Sequence, residues 1–573
     1  MNEEAVPAPN WLRGVVLPLV ICCAIAYAPF AVASLFWDDH LVIRPDGPIS
    51  SLGTLRRTFT GRCVLFPPQI TYDYYRPLID SLFVLEYALA GQRPLLYHLT
   101  NFLLHVANVV MAVRLLRELL GESVSRYAAL MGLAIFSVHP LQSESVLWVA
   151  ARPGVLSLFF SLIALLLLAK LRDWRGIKGV AGAAGVAVAF TAALLSKETA
   201  LALPVSLLPL VLNRNLTKAP RSLHLAGLLL AIIAVGYFLL NPVGGGALQR
   251  NLESLGVVEF ARLLLQAYGF YVWSFFVPFS LIPNYPVGID QGPWHLALGV
   301  LGAVGSLGAV VRCLVRRDSV ALIVASALLY MGSTSLLPLF GGQFQLADRY
   351  LYQALLGLGV AVACGAARLE VLFPRARDLM PRAVNLLIVA LVTLALVQSC
   401  FWVREELMWA RVLRVDPDNI AGNLEMANRA LALGNRQAGV EHLQRAVHSP
   451  QTMYDRQRNI RALELARMLM EDGRFEEALV SADIAAREPS LGAQPLVLKA
   501  MIYYLHGNRA RGRELVAKFR DDDQQDWTVY TNLAIIARRF EKDEVAAARW
   551  TAKAREKGAA KGDLSNSVNP PHQ

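Results

Sequence analysis

Two carboxylates stand side by side in the stretch Leu35–His40, LFWDDH, after an almost wholly apolar run from Val15 to Phe36. Adjacent carboxylates repel. One can be kept ionised while its neighbour is protonated, salt-bridged or metal-bound. A carboxylate just outside a bilayer can accept a proton from a hydroxyl. Taken alone, Asp38-Asp39 reads equally as a solvated pair at a helix end.

Other charged residues share this setting. YDYYRPLID (Tyr72–Asp80) puts Arg76 beside aromatic rings, and YHLTNFLLH (Tyr97–His105) carries His98, Asn101 and His105 on one helix face. FSVHPLQSESVLWVAARPGVLS (Phe136–Ser157) offers His139, Glu144 and Arg152. LLSKETALALP (Leu194–Pro204) places Lys197 and Glu198 between two apolar stretches, and QLADRYLY (Gln345–Tyr352) sets Asp348 and Arg349 at the start of another. Charged groups at membrane depth are costly and usually functional. Singly, each is also an interfacial anchor or a helix–helix ion pair, and the histidines are ordinary interhelical hydrogen-bond links. In combination the cations can hold a phosphate. Two carboxylates, several cations and no cluster with metal-ligand spacing point to transfer from an anionic, membrane-embedded donor.

These residues need a membrane scaffold. The 573 residues are 55% hydrophobic and only 17% charged, with a mean hydropathy of +0.42. A soluble chain would be nearer about 25% charged. Apolar stretches of spanning length recur up to Trp402, so the first is read as a transmembrane helix rather than a signal peptide. The net charge of +11 does not suggest nucleic acid, because the arginines fall in short loops and no basic motif has interleaved aromatics. The six cysteines have no metal spacing.

Arg-rich loops at 114–126, 171–178, 213–221, 312–318 and 368–382 mark the cytoplasmic face by the positive-inside rule. The loops holding Asp38-Asp39, 139–152, 196–199, 241–260, 284–294 and 341–349 then face the other way. Residues 261–283 are apolar enough to cross but contain Pro278 and Pro283, and are read as a broken or re-entrant segment. About eleven crossings result, with the N-terminus inside and the C-terminus outside. Residues 37–94 form an outer loop whose amphipathic pieces, such as 77–89, are expected on the outer membrane surface.

After Trp402 the chain becomes charged and Ala/Leu-rich. Gly434, Gly473 and Gly507 recur near a ~34-residue interval, and MEDGRFEEALVSADIAAREP (Met470–Pro489) reads as half of a tetratricopeptide unit. Helical pairs of this kind cannot bury their faces singly and stack into a solenoid; a generic helical bundle is the plainer reading. The expected organisation is a polytopic domain over 1–402, repeats over 403–557 and a disordered tail over 558–573. The fold class is all-α.

The ordered set WDDH, YYRPL, YHLTNFLLH, FSVHPLQSESVLWVAARPGVL, LLSKETALALP, FFVPFSLIPNYPV, LADRYLY and WVREELMWARVLRVDPDNIAGNLEMANRALALGN resembles the transmembrane and tetratricopeptide-repeat O-mannosyltransferases of the glycosyltransferase C superfamily. The resemblance implies a polyprenyl-phosphate sugar donor, mannose or a similar hexose, and an acceptor hydroxyl on Ser or Thr of an exported protein held by the repeats. It also implies a catalytic acid in the first outer loop, matched by Asp38-Asp39, and a donor-phosphate contact at Arg349. Lys197, Arg152 and Arg76 are further candidates for the phosphate, with His98, His139, Glu144 and Glu198 in support. The reaction would invert the sugar. No obligatory metal or other cofactor is expected, because a lipid monophosphate leaving group carries less charge than a nucleotide diphosphate.

Other readings are a transferase acting on a lipid or polysaccharide, and a non-catalytic scaffold for envelope assembly. The excess of Arg over Lys points to a GC-rich bacterial source. The expected location is therefore a bacterial inner membrane, or the endoplasmic reticulum membrane for a eukaryotic chain.

Overall fold

The computed structural model describes residues 12–67, 74–171, 173–201, 221–240, 245–286, 293–316, 345–451, 455–519 and 526–558. Among them the fold is all-α apart from one short antiparallel pairing. There β1 (Tyr285–Pro286) meets β2 (Gln345–Leu346), with Tyr285 opposite Leu346. The chain divides into two compact units, Met1–Arg411 and Val412–Gln573.

In the first unit, seven helices among the described residues are long and apolar enough to cross a membrane. They are Pro94–Leu120, Val149–Lys170, Gly176–Ser196, Arg221–Leu240, Pro293–Arg312, Asp348–Leu372 and Pro374–Cys400. The expected count of about eleven is thus not reached among the described residues. Two apolar stretches form helices of only 10 and 13 residues, Leu17–Ala26 and Arg126–Val138. At about 1.5 Å per residue these fall short of a ~30 Å hydrocarbon core. The apolar stretches at 202–220 and 317–344 lie outside the described residues. Residues 261–276 complete a helix that begins at Gly245 and kinks at Gly256, and helical structure stops at Phe276, before Pro278. Leu228, Ile232, Val235 and Phe238 on Arg221–Leu240 are exposed, as apolar side chains facing lipid would be.

Small residues let the helices approach closely. A Cβ on Gly132 would lie 2.0 Å from the carbonyl oxygen of Gly359, so helices Arg126–Val138 and Tyr352–Leu372 touch backbone to backbone. The amphipathic segment expected on the membrane surface is helix Pro77–Ala90, and it buries Asp80 and Glu86 together with Ile79, Phe83 and Val84. Its acidic residues therefore face protein.

The second unit is built of helical pairs: Ile420–Ala432 with Arg436–Val447, Asp455–Glu471 with Phe475–Ala485, Gln494–Leu505 with Arg509–Ala517, and Trp527–Ile535 with Glu544–Glu556. The turns of the first three pairs are made by Gly434, Gly473 and Gly507 at φ 77°, 73° and 88°, where a side chain would be strained. In the first and third, the following Asn435 and Asn508 cap the next helix by accepting from Ala438 and Arg511 N–H. Alanines 427, 462, 466, 478, 482 and 485 are buried between helices. Together with Leu443, Leu465, Leu469 and Ile502 they give this unit a core of its own.

Candidate active site

The WDDH loop is held from several directions. Asp39 is 1% exposed. Its Oδ2 accepts the N–H of Phe36 at 3.0 Å, and its Oδ1 accepts the N–H of Ala150 at 2.8 Å. The first bond closes the local turn as a back-reaching carboxylate does at a helix start. The second ties the loop to the turn preceding Arg152. Each oxygen of Asp39 thus accepts from a backbone donor. Even so, burial pushes its carboxyl up to about 7, against those two hydrogen bonds.

Asp38 differs. It is partly exposed, and among the described residues its carboxylate accepts no hydrogen bond. Burial pushes its carboxyl up to about 6, opposed by the positive charge of Arg349. The preceding residue, Trp37, has φ 49°, a left-handed conformation that costs an L-residue about 1–2 kcal/mol. Its N–H donates to Oε1 of Glu405 at 3.0 Å, and its ring stacks on Trp148 with centroids 5.8 Å apart. Phe36, Trp402 and Trp409 complete an aromatic bed under the loop.

The cations divide into committed and uncommitted groups. Arg349 lies 4.8 Å over the Trp148 ring and 4.9 Å over the Tyr350 ring. It pairs with Glu144, which also accepts the backbone N–H of Arg349 at 2.9 Å. Arg76 pairs with both carboxylate oxygens of Glu198, at 3.1 and 2.7 Å. Arg76 holds the Glu198 carboxyl down at about 2 despite burial. Lys197 is 8% exposed, and among the described residues its ammonium makes neither an ion pair nor a hydrogen bond. Its nitrogen is 5.4 Å from the Tyr350 ring centroid. Burial, and after it the repulsion of Arg76, brings its ammonium down to about 7. A Cβ on Gly154 would lie 3.7 Å from the Lys197 nitrogen and 3.9 Å from the Arg349 carbonyl oxygen. Lys197 and Arg349 therefore flank one glycine.

Arg152 stands apart from this group. It is 0% exposed; its Nε donates to Asn101 Oδ1 at 2.6 Å, Nη2 to the Tyr97 carbonyl at 2.9 Å, and Nη1 pairs with Glu86. Each of its nitrogens thus serves the helix junction. The histidines act similarly. His98 bonds the Ser34 carbonyl, His105 bonds Tyr352 and the Ser137 carbonyl, and His139 bonds the Phe275 carbonyl. Burial lowers the His139 imidazole to about 4, so it is neutral. Among the described residues, no group of three or more His, Cys, Asp or Glu is placed to hold a metal ion.

Trp37, Trp148, Tyr350, Glu86 and Glu405 emerge only from the structure. The available signal was an aromatic residue beside or near each charged motif: WDD, LWVAAR and DRYLY.

Parts of the chain are similar to animal protein O-mannosyl-transferases. It is 36% identical to the mouse protein O-mannosyl-transferase TMTC2 over 100 residues, which is 18% of this chain and 12% of that protein. Against human protein O-mannosyl-transferase TMTC3 it is 30% identical over 128 residues, 22% of this chain and 13% of the relative. Against protein O-mannosyl-transferase Tmtc2 of Drosophila melanogaster it is 29% identical over 191 residues, 32% and 20% respectively. The similarity is distant and partial, and the matched segments span about a fifth or less of these relatives. No protein-family model matches the chain, and no solved structure matches it.

The relatives correct the expected location. The mouse, human, fly and frog proteins are all from animals, which favours the endoplasmic reticulum membrane over a bacterial inner membrane. The bacterial assignment rested on the Arg excess, which reflects base composition and carries no information about compartment.

Proposed function

We propose that this protein is a membrane glycosyltransferase moving a sugar from a polyprenyl-phosphate donor to a hydroxyl. Asp38 is the general base. The observation that carries the reading is the contrast within the pair: each oxygen of Asp39 is held by a backbone donor, while Asp38 accepts no hydrogen bond among the described residues and feels the positive charge of Arg349. Asp38 takes the proton of the acceptor hydroxyl as its oxygen attacks the anomeric carbon. The bond from that carbon to the phosphate oxygen breaks on the opposite face, so the sugar inverts. The phosphate leaves on its lipid with the bonding electron pair.

Lys197 and Arg349 receive that phosphate. Lys197 brings an ammonium that makes no ion pair among the described residues, although Glu198 and Glu144 attract it, and Arg349 brings a guanidinium fixed by Glu144. Preorganised donors at a developing charge are commonly the largest contribution to such catalysis. Arg76 and Glu198 form the outer wall of the subsite, and Arg152 is assigned to the fold. No step draws on a metal. The sugar is mannose or a similar hexose and the acceptor is Ser or Thr of an exported polypeptide, in keeping with the relatives' names. The helical pairs of the second unit form a tetratricopeptide solenoid that binds this polypeptide.

The test uses full-length protein in nanodiscs with isotope-labelled polyprenyl-phosphate mannose and a library of Ser/Thr peptides, read by mass spectrometry. Asp38→Asn should lower transfer about 10²–10⁴-fold with an unchanged unfolding midpoint. Wild-type turnover in that variant would remove Asp38 from the mechanism.

A further inference from the structure

Glu405 lies 368 residues from the loop that it touches. It starts helix Glu405–Val415, just after the last membrane-length helix. Three groups converge on its carboxylate. Oε1 accepts the N–H of Trp37 at 3.0 Å and the indole N–H of Trp409 at 3.3 Å, and Oε2 lies 3.5 Å from Nε2 of His40. The loop is thereby held on both sides of Asp38-Asp39. A second bond joins the same segments, from Ser34 N–H to the Val403 carbonyl at 3.0 Å.

The conformation at stake is that of Trp37. A bulky residue at φ 49° persists only where its surroundings over-determine it. Its ring stacks on Trp148 and meets Trp409 and Phe36 edge-on, its carbonyl accepts the N–H of His40 at 3.0 Å, and Glu405 captures its N–H. Releasing the N–H lets φ return to negative values. Because Asp38 follows Trp37 directly, that rotation swings its carboxylate. The Arg349 guanidinium also lies over the Trp148 ring, 4.8 Å from its centroid, so the ring that stacks on Trp37 touches the cluster as well.

We propose that Glu405 is a positioning residue: it locks Trp37 in the left-handed conformation and so aims the Asp38 carboxylate into the cluster. The role of Asp38 as base is taken from the proposed function; the lock itself is a matter of geometry. The needed chemistry is an acceptor oxygen, not a charge. Gln preserves that acceptor toward Trp37 and Trp409, whereas Ala removes it.

Two readouts test this on the full-length protein in nanodiscs. The first is labelling of Asp38 by a water-soluble carbodiimide and an amine across pH, located by peptide mass spectrometry. The charged and titratable groups bearing on Asp38 are Arg349, Asp39 and Tyr74, with His40 and Glu405 on the loop's far side. In Glu405→Ala the labelling midpoint should fall toward the ordinary carboxylate range as Asp38 swings out, and in Glu405→Gln it should stay at the wild-type value. The second is transfer from polyprenyl-phosphate mannose. Glu405→Ala should lower kcat about 10²-fold with the donor KM little changed, and Glu405→Gln should restore it. An unchanged labelling midpoint in Glu405→Ala, or Glu405→Gln behaving like Glu405→Ala in labelling, overturns the proposal. The labelling needs no sugar transfer. If the wild type fails to transfer mannose while labelling behaves as expected, the proposed function fails and the positioning role stands.

Discussion

At the residue scale, the two titrating groups with opposite requirements are Asp38 and Lys197. In the proposed reaction Asp38 must be ionised, and burial pushes its carboxyl up to about 6. Lys197, proposed to receive the phosphate, must be protonated, and burial brings its ammonium down to about 7. Activity should therefore fall as pH drops through about 6, where Asp38 gains a proton, and fall again as pH rises through about 7, where Lys197 loses one. A narrow bell in kcat/KM is expected, since that ratio reports the free enzyme. Lys197→Arg should remove the alkaline limb because guanidinium stays charged throughout the range. An alkaline limb that survives in this variant would assign it to another group. The motif WDDH made the carboxylate pair legible, but the division of labour within it was not. That division depends on Phe36 and Ala150 N–H groups turning toward Asp39, and Ala150 is 111 positions away.

At the element scale, the helix contacts that frame the site depend on glycine. Gly132 and Gly359 meet backbone to backbone, and the atoms nearest a Cβ on Gly132 are the Gly359 carbonyl oxygen at 2.0 Å and the Ala363 nitrogen at 2.7 Å. Neither can give way as a flexible side chain would. Gly132→Ala must push the two helices apart, at a cost of about 1–3 kcal/mol. The apparent unfolding midpoint in detergent should fall accordingly, and a midpoint equal to wild type would show that the helices are not in contact. Helix Tyr352–Leu372 directly follows Arg349, so the same variant should weaken donor binding. The helices themselves were legible as apolar runs. Their lengths were less so: Leu17–Ala26 ends where the apolar run continues, because Tyr27 and the residues after it turn into a 3-10 segment containing Pro29.

At the scale of the whole molecule, the second unit has its own turns, caps and core, in two buried clusters. Stability in such arrays comes from each pair and its neighbours rather than from distant contacts. Residues 405–573 expressed alone should be soluble, strongly helical by circular dichroism and cooperative in thermal unfolding. A fragment that aggregates, or lacks a transition, would show that the pairs depend on the membrane unit for their core. The arrangement of this unit was legible because its determinants are local. Gly434, Gly473 and Gly507 stand at left-handed turn positions that a side chain would strain, and Asn435 and Asn508 cap the helices that follow. The fourth pair lacks that signature, since Lys542 takes the left-handed position at φ 60°.

The sequence by itself determined what depends on neighbours along the chain: helical class, membrane-length apolar runs, turn glycines, and the motifs in which charged residues sit. Local periodicity and turn chemistry act over a few residues, so they can be read without coordinates. The tertiary structure decided which charges are spent and which are left. Arg152 and Lys197 look alike in sequence, each a cation beside an apolar run. Only the packing of helix Pro77–Ala90 brings Glu86 to Arg152, whereas Glu198 and Glu144 attract Lys197 without forming an ion pair with it among the described residues. A buried cation is neutralised or left available according to which helix lies beside it, and that is fixed by contacts between segments far apart in the chain.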